Sequence, residues 1–200
     1  MAEEISVYTD NMSKENTESK EKKAVEEKKA QESNQGKKPS LEEVVYHQNK
    51  IQSIWDHCRN VRTAAEKLCM RLCEEGDFEL ARRLAERANK HDASKFTGIE
   101  YEYLGSDSSK DELRMAVKQH QATNDHHPEH YVNGIKDMSD EALAEWVCDV
   151  HARSSEFGTD LRKWIKEVAM DRFSFTYQSN AGRKIKRFVD LLLDPSFKKV

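Results

Sequence analysis

The chain has 200 residues, of which 35% are charged and 36% hydrophobic, and its formal net charge is -4. That is enough chain for one domain with material to spare, and too little apolar content for all of it to pack into a core. The charge balance gives no bulk drive toward nucleic acid, and no apolar run approaches the roughly 20 residues of a membrane helix.

The apolar deficit is concentrated at the start. Residues 1–40 are dominated by Glu, Lys, Ser, Asn and Gln, with Tyr8 as the only aromatic, so they are expected to form a disordered charged tail. Residues 41–200 make up the foldable domain. The N-terminus lacks the basic-then-apolar pattern of a secretory signal, which makes a cytoplasmic protein the expectation. Cys58, Cys69, Cys73 and Cys148 fall inside helical patterns and read as reduced core thiols, without a second Cys or His pair at zinc-finger spacing.

Few glycines, three prolines and almost no alternating β-branched runs predict an all-α fold. From Leu41 to about Glu75, His47, Ile51, Ile54, Cys58, Val61, Ala65, Leu68 and Leu72 recur at steps of three and four, one stripe along a helix that Gly76 ends. A second helix from about Asp77 places Leu80, Leu84, Ala88 and His91 on one face. A third opens near Ser109 and carries Leu113, Ala116, Val117 and His120. The stretch "NDHHPEHY" is expected to be irregular, because the residue before Pro128 disfavours helix. Ser139 is an N-cap, with Asp140 and Glu141 in the favoured first turn, for a helix burying Leu143, Val147 and Val150 with Trp146 and Asp149 along its edge. Two more helices fill about 160–193. Trp55, Trp146 and Trp164 read as core residues. The basic run "GRKIKRF" reads as a solvated helix face, and nucleic acid is not the expected partner.

Within this frame, residues suited to metal binding fall on several helices. His57, His91, Asp92 and Asp149 could hold a divalent ion, with His47 a rival for the place of His57. Four histidines, His120, His126, His127 and His130, fall within eleven positions. His120 with one or both of His126 and His127 could complete a second site, bridged by Asp92. Imidazole suits Fe, Mn, Co, Ni or Zn better than Mg or Ca.

The order His57, His91-Asp92, His120, His126 or His127, Asp149 resembles that of the HD superfamily of helical metal-dependent phosphohydrolases. More closely, "HDASKF" with Glu100 downstream, then "HQATNDHHPEHY", then "EALAEWVCD", is similar to a group of small HD-like proteins frequent in phage genomes. The resemblance covers about residues 57 to 165. It implies an HD-domain-like helical bundle, one or two divalent transition ions, and hydrolysis of a phosphoester such as a nucleotide or related small molecule, in a host cytoplasm if the chain is phage-encoded. It makes His57, His91, Asp92 and Asp149 primary ligands and gives His120 and His126 or His127 to a second ion or the phosphate. Lys95 takes the place of the lysine in "HDxGK", where a cation meets an anionic substrate, although Ser94 stands where glycine is common. Glu100 is a further ligand or base. A diiron oxygenase and a non-catalytic metal-binding interaction protein are the alternatives such a set of donors leaves open.

Overall fold

The computed structural model describes residues 38–105 and 107–195. The charged tail expected over 1–40 lies, up to residue 37, outside the described residues. The chain divides into two units, 1–47 and 48–200. Among the described residues there are helices and no strand, as the all-α reading requires.

In the first unit Ser40 and Glu43 form a reciprocal cap: the Ser40 hydroxyl accepts from the Glu43 N–H at 3.1 Å and Glu43 accepts from the Ser40 N–H at 2.7 Å. Helix α1, Leu41–Glu74, starts there. The expected apolar stripe holds only in its second half, where His57, Cys58, Val61, Ala65, Leu68 and Leu72 are buried. His47 and Ile51 are exposed and Ile54 is half-buried. Gly76 ends the helix with φ 84, and the Asp77 N–H donates to Leu72 O at 2.8 Å.

Helix α2, Phe78–Ala88, buries Leu80, Ala81, Leu84 and Ala88. The Cys69 thiol donates to Ala81 O at 3.2 Å, tying α1 to α2. This helix stops three residues short of His91, contrary to the periodicity, and a turn carries His91 and Asp92 instead. A 3₁₀ turn, Ala93–Phe96, and a short helix α3, Gly98–Tyr103, follow. Helix α4, Lys110–Thr123, opens on a capping box between Ser109 and Glu112. It buries Ala116 and His120, whereas Leu113 and Val117, expected in the same buried stripe, are exposed.

Helix α5, Asp140–Glu156, is capped by the Ser139 hydroxyl as expected. It packs on α2, on α6 (161–172, with a π-helical stretch at Ile165–Ala169) and on α7, Asn180–Leu193. Leu143, Val147 and Cys148 make its inner face. Trp146 is buried beside the rings of Trp164 and Phe173, but Trp55 is 53% exposed, resting on Phe96, and Cys73 is exposed. Three cations of the basic run on α7 are ion-paired, Arg187 with Glu75 and Asp77, Lys184 with Asp140, and Lys186 with Asp190, and Arg183 donates to Gln178 O. No helix among the described residues is long and apolar enough to cross a membrane.

Candidate metal centre

Five chain segments deliver polar side chains to one buried point. Helix α1 carries His57, the turn after α2 carries His91 and Asp92, α4 carries His120, the irregular stretch before Pro128 carries His126 and His127, and α5 carries Asp149. Asp92 is only 1% exposed and adopts a left-handed conformation, φ 57. A residue with a Cβ takes that conformation at a cost, and such strain tends to be kept where a side chain must point a particular way. Here it lets neighbours His91 and Asp92 address the same point, which two successive helical residues, about 100° apart, would not do.

The two oxygens of Asp92 face different partners. Oδ2 lies 3.5 Å from His57 Nε2 and 3.4 Å from His91 Nε2, and Oδ1 lies 3.3 Å from His120 Nε2 and 3.5 Å from His126 Nε2. Asp149 Oδ1 is 3.1 Å from His57 Nε2 and 3.9 Å from His91 Nε2. His127 Nε2 is 2.9 Å from His120 Nε2. Three groups of donors, Asp92 with His120, His126 and His127, His57 with His91 and Asp92, and His91 with His126 and Asp149, have their ligand atoms within 4.8 Å of one another. Buried His/Asp groups of this kind could hold a metal ion. His47, the rival for the place of His57, is in none of these groups; His130 is exposed, and His151 lines a separate groove with Lys67.

The far ring nitrogens are held by glutamates. His57 Nδ1 is 3.0 Å from Glu156 Oε1, His91 Nδ1 is 2.9 Å from Glu145 Oε1, and His120 Nδ1 is 2.7 Å from Glu100 Oε2. A carboxylate accepts, so each Nδ1 carries a proton, and Nε2 is the ring nitrogen left to offer a lone pair to an ion at the centre. Glu100 therefore sits behind His120, where it also accepts from the Ser94 hydroxyl at 2.7 Å. Glu145 accepts from Arg87 at 2.7 Å as well. Glu145 and Glu156 were not singled out in the sequence, yet they stand four residues before and seven after Asp149, on the same face of α5.

Electrostatics fit the geometry. Burial, reinforced by His91, drives His126 down to about 3, and burial lowers His120 and His127, so these imidazoles are neutral and able to ligate. His91 goes the other way: burial lowers it, but Glu145, Asp92 and Asp149 outweigh burial and raise it above the ordinary histidine value. Burial also pushes the Asp92 and Asp149 carboxyls up, but His91 beside both, with Lys95 at Asp92 and His57 at Asp149, outweighs it and keeps both below the usual carboxylate range. The Lys95 ammonium is paired with Asp92 Oδ2. Within this cluster, His57 Nε2, His91 Nε2, Asp92 Oδ1, His126 Nε2 and Asp149 Oδ1 are buried without a hydrogen bond of acceptable geometry. Buried polar atoms are normally satisfied, so five orphans converging on one point suit the coordination of a cation.

The molecule is thus an all-α protein with a buried histidine and carboxylate cluster that could hold a metal ion. It belongs to the family of unknown function DUF5662, whose profile matches residues 37–194. Neither curated proteins nor solved structures gave a match.

Proposed function

We propose that the chain is a metal-dependent phosphohydrolase of the HD type, acting on a phosphoester with one or two divalent transition ions. The observation that carries this reading is the convergence of the five unsatisfied donor atoms on His57, His91, Asp92, His126 and Asp149. In this reading His57, His91, Asp92 and Asp149 hold one ion, and His120, His126 and His127 share Asp92 for a second. Three imidazoles backed by carboxylates, with two further carboxylates, form a donor set that suits iron, manganese, cobalt, nickel or zinc better than magnesium or calcium. When bound, such ions supply Lewis acidity toward a phosphoryl oxygen and lower the pKa of coordinated water.

The chain's own groups supply the rest. Asp92, bridging, fixes the spacing of the two donor groups. Lys95, 16% exposed and within the same pocket, meets the anionic substrate by exchanging its contact with Asp92 for one with a phosphate oxygen. Glu100 positions His120 through Nδ1 instead of acting as the base. The test is turnover of simple phosphomonoesters and phosphodiesters by protein loaded in turn with manganese, cobalt, nickel, zinc or ferrous iron. Hydrolysis that Lys95→Ala lowers about a hundredfold, the scale of losing one electrostatic stabiliser, is the expected outcome. Oxygen consumption without hydrolysis would overturn it in favour of a diiron oxygenase, and bound metal with neither activity would favour a non-catalytic metal-binding role.

A further inference from the structure

A cavity of about 460 Å³ opens onto the cluster, within the range of small-ligand clefts. Its floor is polar and largely buried, and includes His57, His120, Asp149 and Lys95, with the more exposed Arg153 beside them. Its wall is aliphatic: Ile54, Leu104, Leu113 and Val117. The two parts are built together, because Ile54 stands three residues before His57 on α1 and Val117 three before His120 on α4, with Leu113 one turn earlier. Leu113 and Val117 are 39% and 37% exposed on a helix that buries Ala116 and His120, so core packing does not account for them.

What the wall lacks is equally specific. Among the described residues lining the cavity there is no Phe, Tyr or Trp and no Asn or Gln, and Ser53 carries the one hydroxyl. Proteins read single nucleobases by stacking them on aromatic faces and by hydrogen bonds to their edges. This wall offers neither an aromatic platform nor paired donors and acceptors. It offers burial to a carbon chain, while Lys95 and Arg153, now paired with Asp92 and Glu156, can turn to an anion at the floor.

We propose that the cavity takes a phosphate ester of a small aliphatic alcohol, with the phosphate at the floor and the carbon chain against Ile54, Leu113 and Val117. This rests on the phosphohydrolase reading above. The reaction transfers the phosphoryl group to water: a P–O bond forms to the water oxygen, the ester P–O bond breaks, and the alcohol leaves with the proton the water gives up.

The experiment is calorimetric titration of the manganese-loaded full chain with methyl-, propyl- and hexylphosphonate, which bind without being hydrolysed, and with adenosine monophosphate. Affinity is expected to rise about two- to fourfold per methylene, the worth of burying a CH₂ partly or fully. Val117→Asn, with its manganese content measured as a check on folding, is expected to flatten that slope. Methylphosphonate binding with no gain from longer chains, or adenosine monophosphate binding more tightly than hexylphosphonate, overturns the aliphatic assignment and leaves the phosphoester reading standing. Failure of every phosphonate and of adenosine monophosphate to bind overturns both.

Discussion

Each of three imidazoles at the centre has a glutamate behind it, and a ring held at Nδ1 can present only Nε2 inward. Glu145 carries the most of this work, since it holds His91 Nδ1 and the Arg87 guanidinium and lies 3.6 Å from His126 Nδ1. Glu145→Gln keeps the volume and removes the charge that fixes the His91 tautomer. Metal affinity, measured by competition with a chromophoric chelator, is expected to fall about 10–100-fold; an unchanged affinity would mean that the ring is oriented by packing alone. The histidines and Asp92 were legible in the sequence because they are uncommon residues at spacings that a ligand set requires. Glu145 and Glu156 were not, because Glu on a helix ordinarily faces water, and their place beside Asp149 on α5 becomes meaningful only once that face is known to meet the histidines. The strain at Asp92 was also invisible, since nothing about an aspartate announces a left-handed backbone.

At the scale of elements, α5 is the part the sequence describes best, with the Ser139 cap in place and Leu143 and Val147 of the expected stripe buried, while Val150 is half-buried. Helix α2 ends before the expected point: the interval from Ala88 to His91 matches the helical period, but the chain leaves the helix at Ala88 and a turn carries His91 into the interior. Helix α3 escaped notice because six residues are too few to show a stripe. In α4, periodicity located an apolar face correctly but could not distinguish a face packed on the core from one lining a cavity. A separate constraint holds the start of α7. A Cβ built on Gly182 would lie 1.9 Å from Thr176 O, which is backbone and cannot swing aside. Gly182→Ala is expected to cost about 1–3 kcal/mol, the usual range for overpacking, read as a lower urea midpoint at unchanged m. An unchanged midpoint would mean that the 176–182 turn relaxes freely.

At the scale of the whole molecule, the centre draws its donors from segments as far apart in sequence as His57 and Asp149, so an ion there would fasten α1, the 91–92 turn, α4, the 126–127 loop and α5 together. Without an ion, imidazoles and two carboxylates are buried side by side, and the folded state bears the cost of leaving several of their atoms unsatisfied. Binding to the folded chain alone adds about 4 kcal/mol at a thousandfold excess over Kd. Chelator-treated protein is therefore expected to melt several degrees lower than metal-loaded protein and to recover on readdition of the ion; a melting temperature indifferent to metal would argue that the cluster holds none. The most direct test of the centre itself is elemental analysis of protein purified without chelators or a polyhistidine tag, comparing wild type with Asp92→Ala. The expected result is near-stoichiometric iron, manganese, cobalt, nickel or zinc, up to two ions per chain, lost in the variant because Asp92 is shared by the two proposed sites and belongs to two of the three donor groups. Wild-type protein that carries no such ion and takes none up on addition would contradict the metal centre and the hydrolase built on it.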